Sequence, residues 1–160
     1  MSIKQDAVDF LHTLIGKPLL YAIKSPDTEL YDFGFGELVE VVNRHGKRKK
    51  IGTQILHALC RFKVIWRIDD QRVDVYYEDT PCDKFYAEFE RLIGMEVRRI
   101  ELSDKNDLWL DFGTCWVVFA TFENEEESWR FFTAQKDCPH VVAADSWLEI
   151  YPEIGSSSDL

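Results

Sequence analysis

The sequence lacks the features that mark metal sites, membrane proteins and secreted proteins. Its four cysteines, Cys60, Cys82, Cys115 and Cys138, form no C-x-x-C pair and do not cluster with the four histidines. The sequence therefore predicts no metal site and no cofactor. No apolar stretch approaches the roughly 18 residues of a membrane-spanning helix, so no membrane association is expected. No apolar run follows a basic start, so we expect no signal peptide and a reducing, cytoplasmic environment for the thiols.

The chain also lacks an excess of basic residues. Its 160 residues include 19 Lys and Arg against 29 Asp and Glu, a formal net charge of -10. Phosphate binding needs clustered positive charge, so nucleic acid is not expected as a partner. The hydrophobic fraction of 46% is too high for a disordered chain. Such acidity would instead speed the encounter with a basic protein.

No complete catalytic motif is present. Asp-Phe-Gly occurs at residues 32–34 and again at 111–113, but the glycine-rich and catalytic loops of kinases are missing. His57 and Cys60 lie close on a predicted strand but point to opposite faces, which disfavours a Cys–His nucleophile pair. The sequence thus favours a non-enzymatic protein while leaving an enzyme as the alternative.

One sequence pattern occurs twice and suggests a duplicated unit. Leu-Ile-Gly at residues 14–16 returns at 92–94, an offset of 78 (92 − 14). Asp-Phe-Gly returns at an offset of 79 (111 − 32), so the second copy carries one extra residue. Repeats of this kind indicate a supersecondary unit that has been copied. We assign one repeat to about residues 1–78 and the other to about 79–151, and predict a mobile tail at 152–160.

Each predicted repeat begins with a helix and continues as strands. Ser2 suits the N-cap of the first helix and Thr80 that of the second, while Gly16 and Gly94 suit their C-terminal ends. The longest strand candidate covers residues 53–68, with one apolar face and one mixed face. The prediction is an α+β fold: two tandem helix-plus-antiparallel-sheet repeats packed as one compact single domain over residues 1–160. Helices on one side would cover the sheet.

Three motifs together carry a resemblance to known proteins. They are the helix-ending Leu-Ile-Gly, the run Leu56-His57-Ala58-Leu59-Cys60, and the run Glu127-Ser128-Trp129-Arg130-Phe131-Phe132. The combination resembles a loosely defined group of uncharacterised bacterial two-repeat α+β proteins of unknown function. Some of that group resemble the immunity proteins of toxin systems. The resemblance implies a non-enzymatic inhibitor with a toxin as its partner, and it assigns no catalytic residue.

The first functional hypothesis is a protein-binding module, of the kind that inhibits a basic toxin. Its candidate binding patch is an acidic hairpin tip together with the aromatic side chain beside it, namely Glu123, Glu125, Glu126, Glu127 and Trp129. Acidic side chains would steer a basic partner, and an exposed tryptophan would supply a hot spot for binding.

The second hypothesis is a small-ligand-binding protein or enzyme. It places a pocket between the two repeats, lined by His57, Arg61 and Trp66. A separate possibility concerns the basic loop at residues 44–50, which could pair with the acidic tip of another copy and form a homodimer.

Overall fold

The chain forms two antiparallel sheets and two short helices. The computed structural model describes residues 2–26, 28–59, 61–77, 82–121, 126–135 and 137–151. The helices are α1 (Ile3–Leu11), which a 3₁₀ turn (His12–Leu14) follows, and α2 (Cys82–Glu90). The strands are β1 (Leu19–Lys24), β2 (Tyr31–Val42), β3 (Arg48–Ala58), β4 (Arg61–Ile68), β5 (Gln71–Tyr77), β6 (Arg99–Leu102), β7 (Leu108–Asp111), β8 (Cys115–Ala120), β9 (Trp129–Thr133), β10 (His140–Ala143) and β11 (Leu148–Tyr151).

The fold is mostly β rather than an even mixture of helix and sheet. One sheet has six strands in the order β1-β2-β3-β9-β10-β11, and the other has five in the order β5-β4-β8-β7-β6. Each helix is only nine residues long. The predicted antiparallel sheets are confirmed, but the helices contribute less than the α+β prediction implied. No helix within the described ranges has the length and apolarity to cross a bilayer.

Each sheet contains strands from both halves of the chain. The first half supplies β1, β2 and β3 to the six-stranded sheet, then β4 and β5 to the other. The second half supplies β6, β7 and β8 to the five-stranded sheet, then returns to the first sheet with β9, β10 and β11. The halves meet where β3 pairs with β9 and β8 pairs with β4. The chain therefore does not consist of two tandem units with one complete sheet each.

The predicted strand at residues 53–68 is in fact two strands in different sheets. β3 ends at Ala58 and β4 begins at Arg61. The alternation of the sequence nevertheless continues through the corner, because Leu56 and Ala58 before it and Phe62 and Val64 after it are all buried. The chain changes sheets without changing its inward side, so both sheets face one core.

Aromatic rings fill the space between the sheets. The ring centroid of Phe33, on β2, lies 5.6 Å from that of Phe62 on β4 and 5.3 Å from that of Phe119 on β8. Phe85 and Phe89 of α2 pack against the same rings. Tilted and edge-on ring pairs at these separations add to the free energy gained by burial. This cluster joins strands of both sheets and one helix.

The helices close different edges of the six-stranded sheet. α1 lies against β11 and also reaches β6 of the other sheet, whereas α2 lies against β1. Since β1 and β11 are the two edge strands, the helices lie at opposite edges of this sheet. Both helices bury side chains in the one core between the sheets, Ala7 and Leu11 from α1 and Phe85 and Phe89 from α2. The predicted cap of α1 is confirmed, because the Ser2 hydroxyl accepts a hydrogen bond of 3.2 Å from the Gln5 amide.

Hydrogen bonds between the segments that follow the two helices occur in pairs. The Gly16 amide donates to the Val97 carbonyl at 2.7 Å, and 78 residues later the Gly94 amide donates to the Leu19 carbonyl at 2.8 Å. A second reciprocal pair joins Leu19 to Met95 and Val97 to Lys17. The bridge between Pro18 and Glu96 lies at the centre of these bonds. Each bond thus has a counterpart at the offset seen in the sequence.

We predict that Phe33→Ala lowers the free energy of unfolding by about 3–5 kcal/mol, because it empties a space between both sheets. Since both sheets contain strands of both halves, the variant should still unfold in one cooperative transition. Urea denaturation followed by circular dichroism and by tryptophan fluorescence measures both outcomes. Ile23→Ala is the control, because Ile23 is 46% exposed, and it should change stability by less than about 0.5 kcal/mol. Two separated transitions would contradict the shared core.

Candidate functional site

The outer face of the six-stranded sheet carries a row of side chains contributed by every strand. The inner face is buried in the core, so alternate side chains point outward. The strand register places six residues side by side across the sheet, namely Ile23, Asp32, His57, Arg130, Val142 and Glu149. Four of the six are ionisable, so charged groups that are far apart in sequence meet on this face.

Asp32 and His57 are cross-strand neighbours in this row. His57 Nε2 lies 3.5 Å from Asp32 Oδ1, and the two side chains are 22% and 21% exposed. That separation suits an ion pair, but Asp32 Oδ1 accepts no hydrogen bond from the described residues. Burial, followed by the charge of Asp32, raises the pKa of Tyr21 to about 12. The phenol therefore stays protonated near neutral pH and is not a ready nucleophile or base.

The ends of β2 and β3 that extend beyond the sheet leave a narrow cleft above this pair. Val41, Asn43 and Lys49 line one side of the cleft, and Asp32 and His57 lie on the other. The free volume is about 30 Å³, which is enough for a water molecule but not for a substrate. The carboxylate and imidazole therefore do not open onto a substrate pocket.

A second polar cluster lies farther along the same face. Arg130 Nη2 donates to Glu127 Oε1 at 2.7 Å, and Arg130 Nη1 lies 3.3 Å from His140 Nδ1. The ring of Phe132 stacks on His140 at a centroid separation of 4.3 Å and meets His57 edge-on at 4.9 Å. Phe132 thus separates the two histidines. Neither imidazole of this arrangement faces a cavity large enough for a substrate.

The side chain of Tyr21 on β1 packs over a glycine of the neighbouring strand. Gly34 lies opposite Tyr21 on β2, and a Cβ atom at Gly34 would lie 2.2 Å from the Tyr21 ring. The Gly52 amide donates a hydrogen bond of 3.3 Å to the Tyr21 hydroxyl. The first Asp-Phe-Gly motif therefore has a packing role: its glycine makes room for an aromatic ring.

The predicted ligand pocket of His57, Arg61 and Trp66 does not assemble. His57 belongs to the six-stranded sheet, whereas Arg61 and Trp66 lie on opposite faces of β4 in the other sheet. Trp66 is only 7% exposed, and its indole N–H donates to Glu88 Oε1. The Arg91 guanidinium lies 4.4 Å from the Trp66 ring centroid. The corner after Ala58 separates these residues. The sequence had predicted all three on one continuous strand, residues 53–68, which leaves no corner between them.

The structure describes only part of the predicted partner-binding patch. Glu123 and Glu125 lie outside the described residues, and Glu126 is exposed. Glu127 is already paired with Arg130. Trp129 is fully buried, and its indole N–H donates to the Asn106 carbonyl at 2.9 Å. The prediction of an exposed tryptophan was wrong, because the face of β9 that Trp129 shares with Phe131 points into the core.

Other residues take the place of Trp129 on the outer face: Glu149 lies in the same row as Arg130, and Tyr151 follows two residues later on β11. We call Glu126, Glu127, Glu149 and Tyr151 the acidic end. Tyr151 is 39% exposed on β11, and Glu149 is exposed beside it. A hydrogen bond with Glu149 raises the pKa of the Tyr151 phenol, and the Glu127 charge adds to the effect. Sequence reasoning missed Glu149 and Tyr151, although their alternation with apolar Leu148 and Ile150 was a usable signal.

A wider groove lies on the outer face of the five-stranded sheet. Its volume is about 330 Å³, and its lining includes Arg67 and Arg72 from the first half and Trp109 and Trp116 from the second. The two indoles meet edge-on at 5.9 Å. Arg72 is held by a two-bond contact with Asp74. The groove offers stacking surfaces and cations to a ligand, and sequence reasoning missed it because its strands are far apart in the chain.

No nucleophile or metal site is assembled among the described residues. The cysteines described there, Cys115 and Cys138, are buried and unpaired. Burial raises the pKa of Cys115 to about 12, which suppresses its thiolate. No group of three His, Cys, Asp or Glu side chains in the described ranges could hold a metal ion.

Comparisons of the chain with protein-family models, with curated proteins and with solved structures give no match.

We predict that Gly34→Ala destabilises the protein by about 1–3 kcal/mol, because its new Cβ would overlap the Tyr21 ring. Gly46→Ala is the control, since Gly46 has φ of +76° but open space around its Cα, and it should cost about 1 kcal/mol from the backbone alone. Urea denaturation measures both. In the double variant Tyr21→Ala, Gly34→Ala the clash is absent, so the double variant should lose less stability than the two single losses summed. Strict additivity would show that the ring is not the obstacle.

We also predict that the two buried thiols are unreactive in the native protein. A Cys60→Ser, Cys82→Ser variant retains only Cys115 and Cys138. At about pH 8, where an ordinary thiol of pKa ~8.5 reacts readily, neither should reduce Ellman's reagent until urea unfolds the chain. The wild-type protein is labelled in parallel, and its additional labelling measures the reactivity of Cys60 and Cys82. Fast labelling of the native variant would restore a cysteine nucleophile as a candidate.

Proposed function

We propose that the protein is a non-catalytic protein-binding module and that the acidic end is its binding surface. The observation that carries the proposal is that Glu127 pairs with Arg130 at 2.7 Å, while Glu149 and Tyr151 on the same outer face are exposed to solvent. Acidic side chains around a partly exposed aromatic ring suit a basic protein surface, because charge steers the encounter and the ring supplies contact area.

The position of the acidic end also supports this proposal. β11 is the last strand of its sheet and pairs only with β10 within the described part of the chain. α1 packs against this edge strand, but Glu149 and Tyr151 of β11 remain exposed. Glu149 thus offers a carboxylate to a basic partner without any opening of the sheet.

The proposal extends to an immunity-type inhibitor of a basic toxin. The net charge of -10 and the sequence resemblance support this extension. An inhibitor of this type needs complementary charge and a stable scaffold, but no chemistry of its own. We place the module in the cytoplasm, where unpaired thiols such as Cys115 and Cys138 remain reduced.

We further propose that the two halves, about residues 1–78 and 79–151, are copies of one helix-plus-sheet unit whose strands have interleaved. Three observations support duplication: the repeated Leu-Ile-Gly, the reciprocal hydrogen bonds at an offset of 78, and the burial of equivalent helical positions. Ala7, Leu11 and Leu14 are buried in the first half, and Phe85, Phe89 and Leu92 are buried 78 residues later. Each half also begins with three consecutive strands in one sheet.

The groove on the five-stranded sheet favours a second candidate function, the binding of a small ligand between the halves. A volume of about 330 Å³ lies within the range of ligand sites. The groove is open and its arginine and tryptophan side chains suit a flat anionic ligand. A ligand that co-purifies with the protein and is lost in Trp116→Ala would favour this function.

We predict that Glu126→Lys combined with Glu149→Lys weakens binding of the cognate protein by roughly tenfold or more, because opposite charges become like charges. The partner is first captured from the native host, identified by mass spectrometry, and titrated against the purified protein by calorimetry. The same affinity should fall as salt is added, since exposed charges are screened.

Glu90→Lys combined with Glu101→Lys is the matched control, because both residues are exposed, lie elsewhere and change the net charge equally. It should alter affinity by less than about twofold. Equal losses in both variants would mean that only total charge matters. If the partner is a toxin, growth of cells that co-express it should depend on the wild-type acidic end.

A further inference from the structure

The groove on the outer face of the five-stranded sheet presents charged groups of both signs. Arg67 and Arg72 line it from β4 and β5, and Asp70 lines it from the turn between these strands. Trp109 and Trp116 line it from β7 and β8. A ligand in this groove therefore meets a carboxylate as well as guanidinium groups and indole rings.

Most of the charges around the groove already have partners within the protein. Arg72 donates two hydrogen bonds to Asp74, at 2.8 and 3.1 Å, and Lys63 approaches the same carboxylate at 3.4 Å. The hydrogen bond from Arg72 is the main cause that lowers the pKa of Asp74. Towards the other edge of the sheet, Asp111 pairs with Arg99 at 3.1 Å. Both carboxylates are therefore occupied by cations of the protein.

Arg67 and Asp70 are the charged lining residues that remain. Both are exposed, and neither side chain forms an ion pair or a hydrogen bond with a residue that the structure describes. Arg67 also lies directly opposite Arg72 in the pairing of β4 with β5. Like charges at such positions destabilise a sheet, so an anion bound beside Arg67 would stabilise this one.

The turn that carries Asp70 holds it at the end of the groove. Ile68 pairs with Gln71, so Asp69 and Asp70 form a two-residue hairpin loop. Both have positive φ, 51° and 63°, as a type I′ turn requires. So short a loop has little freedom to move, which keeps the Asp70 carboxylate near Arg67.

The two indoles follow Arg67 along one diagonal of the sheet. Ile65, two residues before Arg67, pairs with Trp116, and Val118, two residues after Trp116, pairs with Trp109. Diagonal neighbours on a sheet are roughly 7–8 Å apart, which is within reach of long and aromatic side chains. Ile65 is only 6% exposed and gives the groove an apolar floor beside Trp116.

The indoles of the groove differ from those of the core. The buried rings of Trp66 and Trp129 each donate the indole N–H to another residue. Trp109 and Trp116 are partly exposed, and their N–H groups donate to none of the described residues. The Arg99 guanidinium lies over the Trp116 ring, 5.0 Å from its centroid. The exposed surface of the two rings can receive a flat apolar group.

We propose that the groove binds a free amino acid with an aromatic side chain. Arg67 binds the α-carboxylate, Asp70 binds the α-ammonium group, and the ring of the ligand lies against Trp109 and Trp116. This inference rests on the second candidate function, ligand binding in the groove, and is independent of the acidic end.

The pairing of charges favours an amino acid over other ligands. The carboxylate and the ammonium group of an amino acid are attached to one carbon atom, so they need a cation and an acid side by side. Arg67 and Asp70 provide that pair at one end of the groove. A peptide carries only one of the two groups at each terminus. A simple anion would leave the Asp70 carboxylate without a partner.

The test is a titration of the full chain with related ligands, measured by tryptophan fluorescence and by calorimetry. L-Phenylalanine carries both charged groups, phenylpropanoate lacks the ammonium group, and phenethylamine lacks the carboxylate. L-Phenylalanine should bind roughly tenfold more tightly than either analogue, because each analogue leaves one charged side chain of the groove without its partner. L-Alanine, which has no ring, should also bind roughly tenfold more weakly than L-phenylalanine.

Three variants test the assigned contacts separately. Arg67→Gln should weaken the binding of L-phenylalanine roughly tenfold but should not weaken that of phenethylamine, which has no carboxylate. Asp70→Asn should weaken the binding of L-phenylalanine by a similar factor but should not weaken that of phenylpropanoate, which has no ammonium group. Trp116→Ala should weaken the binding of all three ligands, because each of them carries the ring.

Controls make the same changes at exposed residues outside the groove lining. Asp69→Asn matches Asp70→Asn, since both lie in one turn with positive φ, which asparagine tolerates. Lys105→Gln removes one positive charge, as Arg67→Gln does, from a turn elsewhere on the surface. Neither control should change an affinity by more than about twofold. Circular dichroism confirms that every variant is folded.

Three results would overturn the proposal: no binding of L-phenylalanine, equally tight binding of phenylpropanoate, or equal losses in the variants and their controls. Equally tight binding of phenylpropanoate would make the groove a plain anion site, so the second candidate function would survive. A co-purifying ligand that has no amino group and is lost in Trp116→Ala would mean the same. If no ligand binds and none co-purifies, the second candidate function fails as well.

Discussion

The structure depends on the aromatic contacts between the inner faces of its two sheets. Phe33 on one sheet touches Phe62 and Phe119 on the other, and Phe85 and Phe89 of α2 pack against the same rings. Strands of both sheets bury side chains in this core, because the alternation of inward and outward side chains continues from β3 into β4. Burying one face of every strand leaves the opposite face for polar groups, so the two outer surfaces were free to diverge.

That divergence is visible at the two Asp-Phe-Gly motifs. Asp111 accepts hydrogen bonds from Arg99 at 3.1 Å and from the Gly113 amide at 2.7 Å, which stabilises a turn. Asp32, at the corresponding place, instead lies beside His57 with a buried carboxylate oxygen. If the halves are copies, as we propose, one outer face has become an aromatic groove. The other carries the Asp32–His57 pair and the contact of Arg130 with Glu127.

The errors in the sequence predictions have a common physical cause. Trp129 and Tyr151 are both aromatic residues on strands near acidic side chains, yet one is buried and the other is partly exposed. Alternation tells which residues share a face, but the sheet in which a strand lies decides which face is inward. His57, Arg61 and Trp66 were separated for the same reason, since the sequence after Ala58 carries no strong turn signal.

The sequence by itself determined the antiparallel character of the strands, the cap of α1, the acidity and the internal offset of 78, because each depends on local patterns or composition. The tertiary structure alone decided that β9 pairs with β3 and β4 with β8, and that the helices close opposite edges. Strand partners are chosen by contacts between residues far apart in the chain, which local periodicity does not encode. The groove and the acidic end follow from those pairings.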